Sequence, residues 1–128
     1  SEVIEARMYA NSKLLPRAKI ELRDDETVYE HTCSDLISTP DCSFLLIGCK
    51  GGEVLLVRIT RSEIPVTSLD FTVIMREEGE IEKISIFTIT TVDIKEMDKL
   101  LFSVMKKDTV SVYSLVLKEG EESIALLK

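Results

Sequence analysis

The chain has 128 residues, 45% hydrophobic and 30% charged, with a formal net charge of −7. That length allows one domain with a core of its own, and the balance is that of a globular chain rather than a disordered tail. The acidic total argues against a nucleic-acid backbone as main ligand, which needs a clustered basic surface; Lys13, Arg17, Lys19 and Arg23 are soon followed by acids.

Residues 1–17 read as an N-terminal helical or linker segment. Ser1 can cap a short helix, Glu2 and Glu5 favour its dipole, Ile4 and Met8 share a face, and Pro16 stops it. The same start is no secretory signal, because Glu2, Glu5 and Arg7 interrupt any apolar core. From Ala18 to residue 128 the period changes to two, the mark of an all-β domain. "AKIELR" alternates, "RDDETVYE" makes an acidic turn, and "TCSDLIST" is a short strand running into the Pro40-Asp41 turn. Phe44–Cys49 and Val54–Ile59 follow as a hairpin, with Gly51 and Gly52 supplying positive φ to its turn. Pro65 marks an edge or loop, "SLDFTVIMR" is a further strand, and "EEGE" is a solvated turn. "IEKISIFTIT" alternates again, "LLFSV" and "TVSVYSLVL" pair across "MKKD", and Ser123–Leu127 offers a last strand. No apolar run approaches the roughly 18 residues of a membrane span.

The chain also aligns with itself. "FLLIGCKGGEVLLV" lies over "LLFSVMKKDTVSVY", with Lys106 and Val110 each 56 residues beyond Lys50 and Val54. A strand precedes and follows each pair, so the repeating unit has four strands, which is the sequence form of a propeller blade. A compact blade takes roughly 40–45 residues, so the longer offset calls for an insertion, either at "TRSEIPV" or at "TTVDIKEMDK". The two units cover about 32–76 and 80–127. A two-sheet β-sandwich is the alternative arrangement of the same strands.

"CSDLISTPDCSFLLIGCKGGEVLLVR" resembles the WD40 repeat family. Thr39-Pro40-Asp41 stands where that family has Ser-Pro-Asp, Leu45 and Gly48 fall on its second strand, and Val54–Val57 on its third. "REEGEIEKISIF" is similar to the entry of the next blade, and "KLLFSVMKKDTVSVYS" to its middle. The resemblance spans about residues 32 to 127. It departs from the family at Val57 and Tyr113 in the Trp position, Cys42 for the turn glycine, and Gly51 and Lys107 for the turn aspartate, with Asp108 one place late. The family's Asp-His-Ser-Trp network is therefore not expected, and apolar packing would hold these blades. Two blades do not close a propeller, which typically has four to eight. The resemblance thus implies a piece of a larger protein, or a chain completed by copies or a partner, serving as a scaffold.

Few residues carry chemistry. His31 is the lone histidine, and with Cys33, Cys42 and Cys49 it lacks the paired spacings of a structural zinc site. His31 and Cys33 could share a strand face, but nothing marks a third group or an oxyanion site. Lys50-Gly51-Gly52 is a hairpin turn rather than a phosphate loop, since no helix carrying Lys-Ser or Lys-Thr follows. The acidic sets Asp24-Asp25-Glu26, Glu77-Glu78-Glu80 and Glu119-Glu121-Glu122 read as solvated turns, without EF-hand spacing. Three cysteines, an odd number, suit reduced thiols in the cytoplasm or nucleus. The expectation is a non-catalytic protein–protein interaction module with no catalytic, cofactor-binding or metal residue. Its partner would be another protein, or the remaining blades, with self-association through sheet edges open to it. The alternative is a small-molecule-binding or enzymatic β-sandwich or barrel domain.

Overall fold

The strand Cys42–Cys49, "CSFLLIGC", is apolar at almost every position, and such a run suits a strand covered on both faces rather than one. The computed structural model describes residues 22–23, 27–40, 42–60, 70–92, 97–118 and 121–127. Among them are eight strands and no helix: β1 His31–Ser38, β2 Cys42–Cys49, β3 Glu53–Thr60, β4 Phe71–Arg76, β5 Lys83–Val92, β6 Met97–Met105, β7 Val110–Lys118 and β8 Glu121–Leu127. They form two four-stranded antiparallel sheets, each an up-and-down meander in chain order, β1-β2-β3-β4 and β5-β6-β7-β8. The all-β reading holds, and the helix expected over 1–17 lies outside the described residues.

Thr39 closes the β1–β2 turn: its hydroxyl donates to the Cys42 carbonyl at 3.1 Å and accepts from the Cys42 amide at 3.2 Å. In the β2–β3 turn only Gly52 takes positive φ, at 95°; Gly51 does not, contrary to the expectation for the pair. Gly52 is required twice over. A Cβ there would also overlap the Glu77 carbonyl oxygen, because the link between the sheets crosses this turn.

The self-alignment needs one correction. Leu45 pairs with Val57, whereas Phe102 pairs with Tyr113. Val57 and Tyr113 keep the offset of 56, but Leu45 and Phe102 are 57 apart, because twelve positions separate Leu45 from Val57 and eleven separate Phe102 from Tyr113, so the second hairpin is one residue shorter between paired residues. In a strand one residue reverses every side chain, so a single offset misassigns the faces of β2 or β6. Of the two insertion candidates, Thr90–Lys99 holds the end of β5 and the start of β6, with Val92 paired to Met97, and the other lies mostly outside the described residues. The last strand starts at Glu121 rather than Ser123, so Glu121 and Glu122 belong to a ladder and not to a turn.

The sheets stack face to face, β1 beside β5 and β4 near β8. Thr32 meets Ile81 and Asp35 meets Ile86, so β1 and β5 run in the same direction. The two sheets thus share their strand order, with first strands side by side and parallel. Phe44, Leu46, Val54 and Leu56 fill the space between the layers together with Ile84, Leu100, Phe102, Tyr113 and Leu115. The opposite face of the first sheet, Leu45, Ile47, Leu55 and Val57, is equally buried and packs with Leu22 and Tyr29. Those two residues are joined by a hydrogen bond from the Tyr29 amide to the Leu22 carbonyl, 2.7 Å, beside the antiparallel bridge Arg23–Val28. Fully burying side chains of this size contributes about 1.5–3 kcal/mol each.

Candidate functional site

The polar groups gather along the seam between the two sheets. Asp35, on β1, accepts from the Ile86 amide at 2.7 Å and from the Leu36 amide at 3.0 Å. Ile86 stands at the β5 bulge, where the register skips Phe87 and leaves that ring exposed. Asp35 thus ties one sheet to the irregular point of the other. At the start of the seam, the Thr32 hydroxyl lies between the carbonyl oxygens of Gly48 and Ile81, and the Cys33 thiol points to the Ile81 carbonyl at 3.7 Å. Gly48 makes this approach possible, since a Cβ would stand 2.6 Å from Cys33 Sγ and 2.7 Å from Ile81 Cγ2.

The link 77–82 is fastened at both sides. The Glu77 amide donates to the Gly52 carbonyl at 3.2 Å and the Ile81 amide to the Cys49 carbonyl at 3.3 Å, while the Glu82 amide donates to Met105 at 2.8 Å. The Glu77 carboxylate accepts from the Tyr113 hydroxyl at 3.2 Å and pairs with Lys106 Nζ at 3.4 Å; Lys106 also donates to the Glu78 carbonyl at 2.7 Å. Burial, followed by the negative charge of Glu77, raises the Tyr113 pKa. Its ring stacks on Phe102 with centroids 5.6 Å apart.

The residues with conceivable chemistry do not assemble. Cys33 pairs with Gly48 and faces the second sheet, whereas Cys49 belongs to the core on the opposite face, and Cys42 starts β2 at its other end. None of the three is in a disulfide among the described residues. Burial pushes Cys49 from 9.0 up to about 12, with Glu53 and Cys33 adding to it, so its thiolate is suppressed. His31 begins β1 opposite Cys49, and burial lowers its pKa. Among the described residues no three His, Cys, Asp or Glu side chains converge as metal ligands.

Of the acidic sets, Asp24-Asp25-Glu26 lies outside the described residues, as does Glu119. Glu77 is engaged by Tyr113 and Lys106, a role that its place in an acidic run did not signal. Glu78 and Glu80 are exposed. A cleft of about 440 Å³ lies between Gly79, Glu80 and Glu82 on the link and Lys106 to Thr109 on the β6–β7 turn. Its charges are mixed, and His31 and the cysteines are not in it. No helix among the described residues is long and apolar enough to cross a membrane. No protein-family model matches the chain, and no curated protein or solved structure matches it either.

Proposed function

We propose that the chain is a non-catalytic interaction or scaffold module of WD40-like type, two consecutive blades belonging to a larger propeller. The observation that carries this reading is the burial of the first sheet on both faces, Leu45, Ile47, Leu55 and Val57 on one and Phe44, Leu46, Val54 and Leu56 on the other. A two-sheet sandwich covers only the inner face of each sheet and turns polar residues outward. A sheet with two apolar faces belongs inside a series of layers. The shared direction and order of the two meanders, with first strands side by side, support the same series. Packing holds these blades in place of the side-chain network that the WD40 resemblance lacks. Its partners are other proteins or the remaining blades. Cysteines outside disulfides, one of them deep in the core, fit a reducing cytoplasmic or nuclear setting.

An incomplete series leaves a sheet face or edge uncovered, so the chain by itself should self-associate. Sedimentation velocity over a concentration series, with calorimetry, tests this. A monomer at all concentrations that melts in one cooperative transition would overturn the reading in favour of a closed two-sheet domain.

A further inference from the structure

The two repeats can be compared position by position once the register is corrected. Residues on the first face of the first sheet, Leu45, Ile47 and Val57, correspond to Phe102, Val104 and Tyr113, and all six are buried. On the other face the correspondence fails in one respect. Phe44, Val54 and Leu56 are buried under the second sheet, but their counterparts Leu101 and Val112 are half-buried and Val110 is exposed. Val54 has 0% of its surface accessible and Val110 has 65%. The residue type is the same, the place in the hairpin is the same, and only the layer above differs.

The middle of this outer face is uncharged: Leu101, Ser103 and Met105 on β6 and Val110, Val112 and Ser114 on β7, with the exposed Lys83, paired to Met105, and Lys99, two residues before Leu101, at its margins. Ser114 is itself buried, and its hydroxyl has no hydrogen-bond partner among the described residues. Contacts in which one face of a unit meets the opposite face of the next are heterologous, and they repeat until a ring closes or the series is capped.

We infer that the outer face of the second sheet, centred on Leu101, Val110 and Val112, is the docking surface for a third four-stranded antiparallel sheet of the same repeat. That sheet would present an uncharged face of the Leu45, Ile47 and Val57 kind. In a second copy of this chain Leu22 and Tyr29 lie over that face, so the surface a copy offers in its place is the same outer face around Val110. The inference rests on the propeller reading and specifies its next contact.

The test adds the missing layer to the whole protein. The 128-residue chain is extended by a second copy of its own residues 77–82 and 31–76, and Val110→Asp is made with and without the extension. Docking should raise the melting temperature of the extended chain and keep a single transition. Val110→Asp should leave the unextended chain within a degree or two and lower the extended one by several degrees, since a buried charge is costly. Equal, negligible effects of Val110→Asp in both chains would overturn the inference, and so would a separate transition for the added sheet. If the extended chain does not fold, self-association of the original chain decides. Val110→Asp should reduce it at least tenfold, while Val28→Asp, at a site 56% exposed on the preceding hairpin, should not. Association that survives Val110→Asp overturns this docking face yet leaves the propeller reading in place; a chain that never associates removes the reading itself.

Discussion

Val54 and Val110 occupy equivalent places in the two hairpins, so truncating each to alanine isolates what the layer above contributes. Val54→Ala deletes two methyl groups from a side chain with no accessible surface, packed in the core between the sheets. At about 0.8 kcal/mol per buried carbon the transfer loss is about 1.6 kcal/mol, and the residual cavity brings the total to about 2–3 kcal/mol. Val110 is 65% exposed, so only about a third of the transfer loss applies, about 0.5 kcal/mol. Both variants give up the same strand preference of valine, which therefore cancels in the comparison. Urea denaturation followed by far-UV circular dichroism reads the difference. With a slope of about 2 kcal/mol/M, the midpoint should fall by about 1–1.5 M for Val54→Ala and by about 0.25 M for Val110→Ala. Equal losses at the two sites would refute the reasoning, because they would mean that the outer face of the second sheet is already packed within the chain.

Gly52→Ala should cost at least about 2 kcal/mol, since it combines left-handed strain with overlap on the Glu77 carbonyl; thermal melts would show it, and a neutral substitution would deny the crossing of link and turn. Asp35→Ala leaves the Ile86 amide unpaired at the seam and should destabilise by about 1–3 kcal/mol, with faster hydrogen exchange at Ile86, while Asp35→Asn recovers part of the loss. In alkaline solution stability should decline. The Cys49 thiol is held protonated to about 12 in the folded chain against an ordinary value of 9.0, so its contribution is complete below pH 9 and is lost between pH 9 and 12. Tyr113, also raised, adds to the decline above its ordinary value of 10.0. Cys49→Ala should flatten the fall in urea midpoint with pH, and an unchanged profile would contradict the burial of that thiol. Under native conditions Cys33 should also be alkylated well before Cys49, as mass spectrometry of partly labelled protein would show.

The apolar core between the two sheets is bordered by a polar fastening that specifies how they meet. Asp35 on Ile86 and Glu77 with Tyr113 and Lys106 are directional, whereas the apolar side chains between the sheets tolerate sliding. The proposed function needs both properties. A docking module has to present its turns in fixed relative positions, and these contacts hold the β2–β3 turn, the link 77–82 and the β6–β7 turn at one rim.

The order of apolar and turn residues determines the strands, because alternation and breakers act within a few residues. "TCSDLIST", Phe44–Cys49, Val54–Ile59 and "TVSVYSLVL" are each legible from the string, and so is the repeat of the hairpin. Register is not legible to the residue. The hairpins differ by one position between equivalent pairs, Leu45–Val57 and Phe102–Tyr113, and only the ladder decides which side of β6 faces inward. Nor does local pattern distinguish a strand covered on one face from one covered on both until the neighbouring layer is in place. Leu45 and Phe44 look alike in the sequence, yet one meets Leu22 and Tyr29 and the other meets the second sheet. The tertiary structure alone separates Val54 from Val110, because burial depends on what another part of the chain lays over a residue and not on the residue itself.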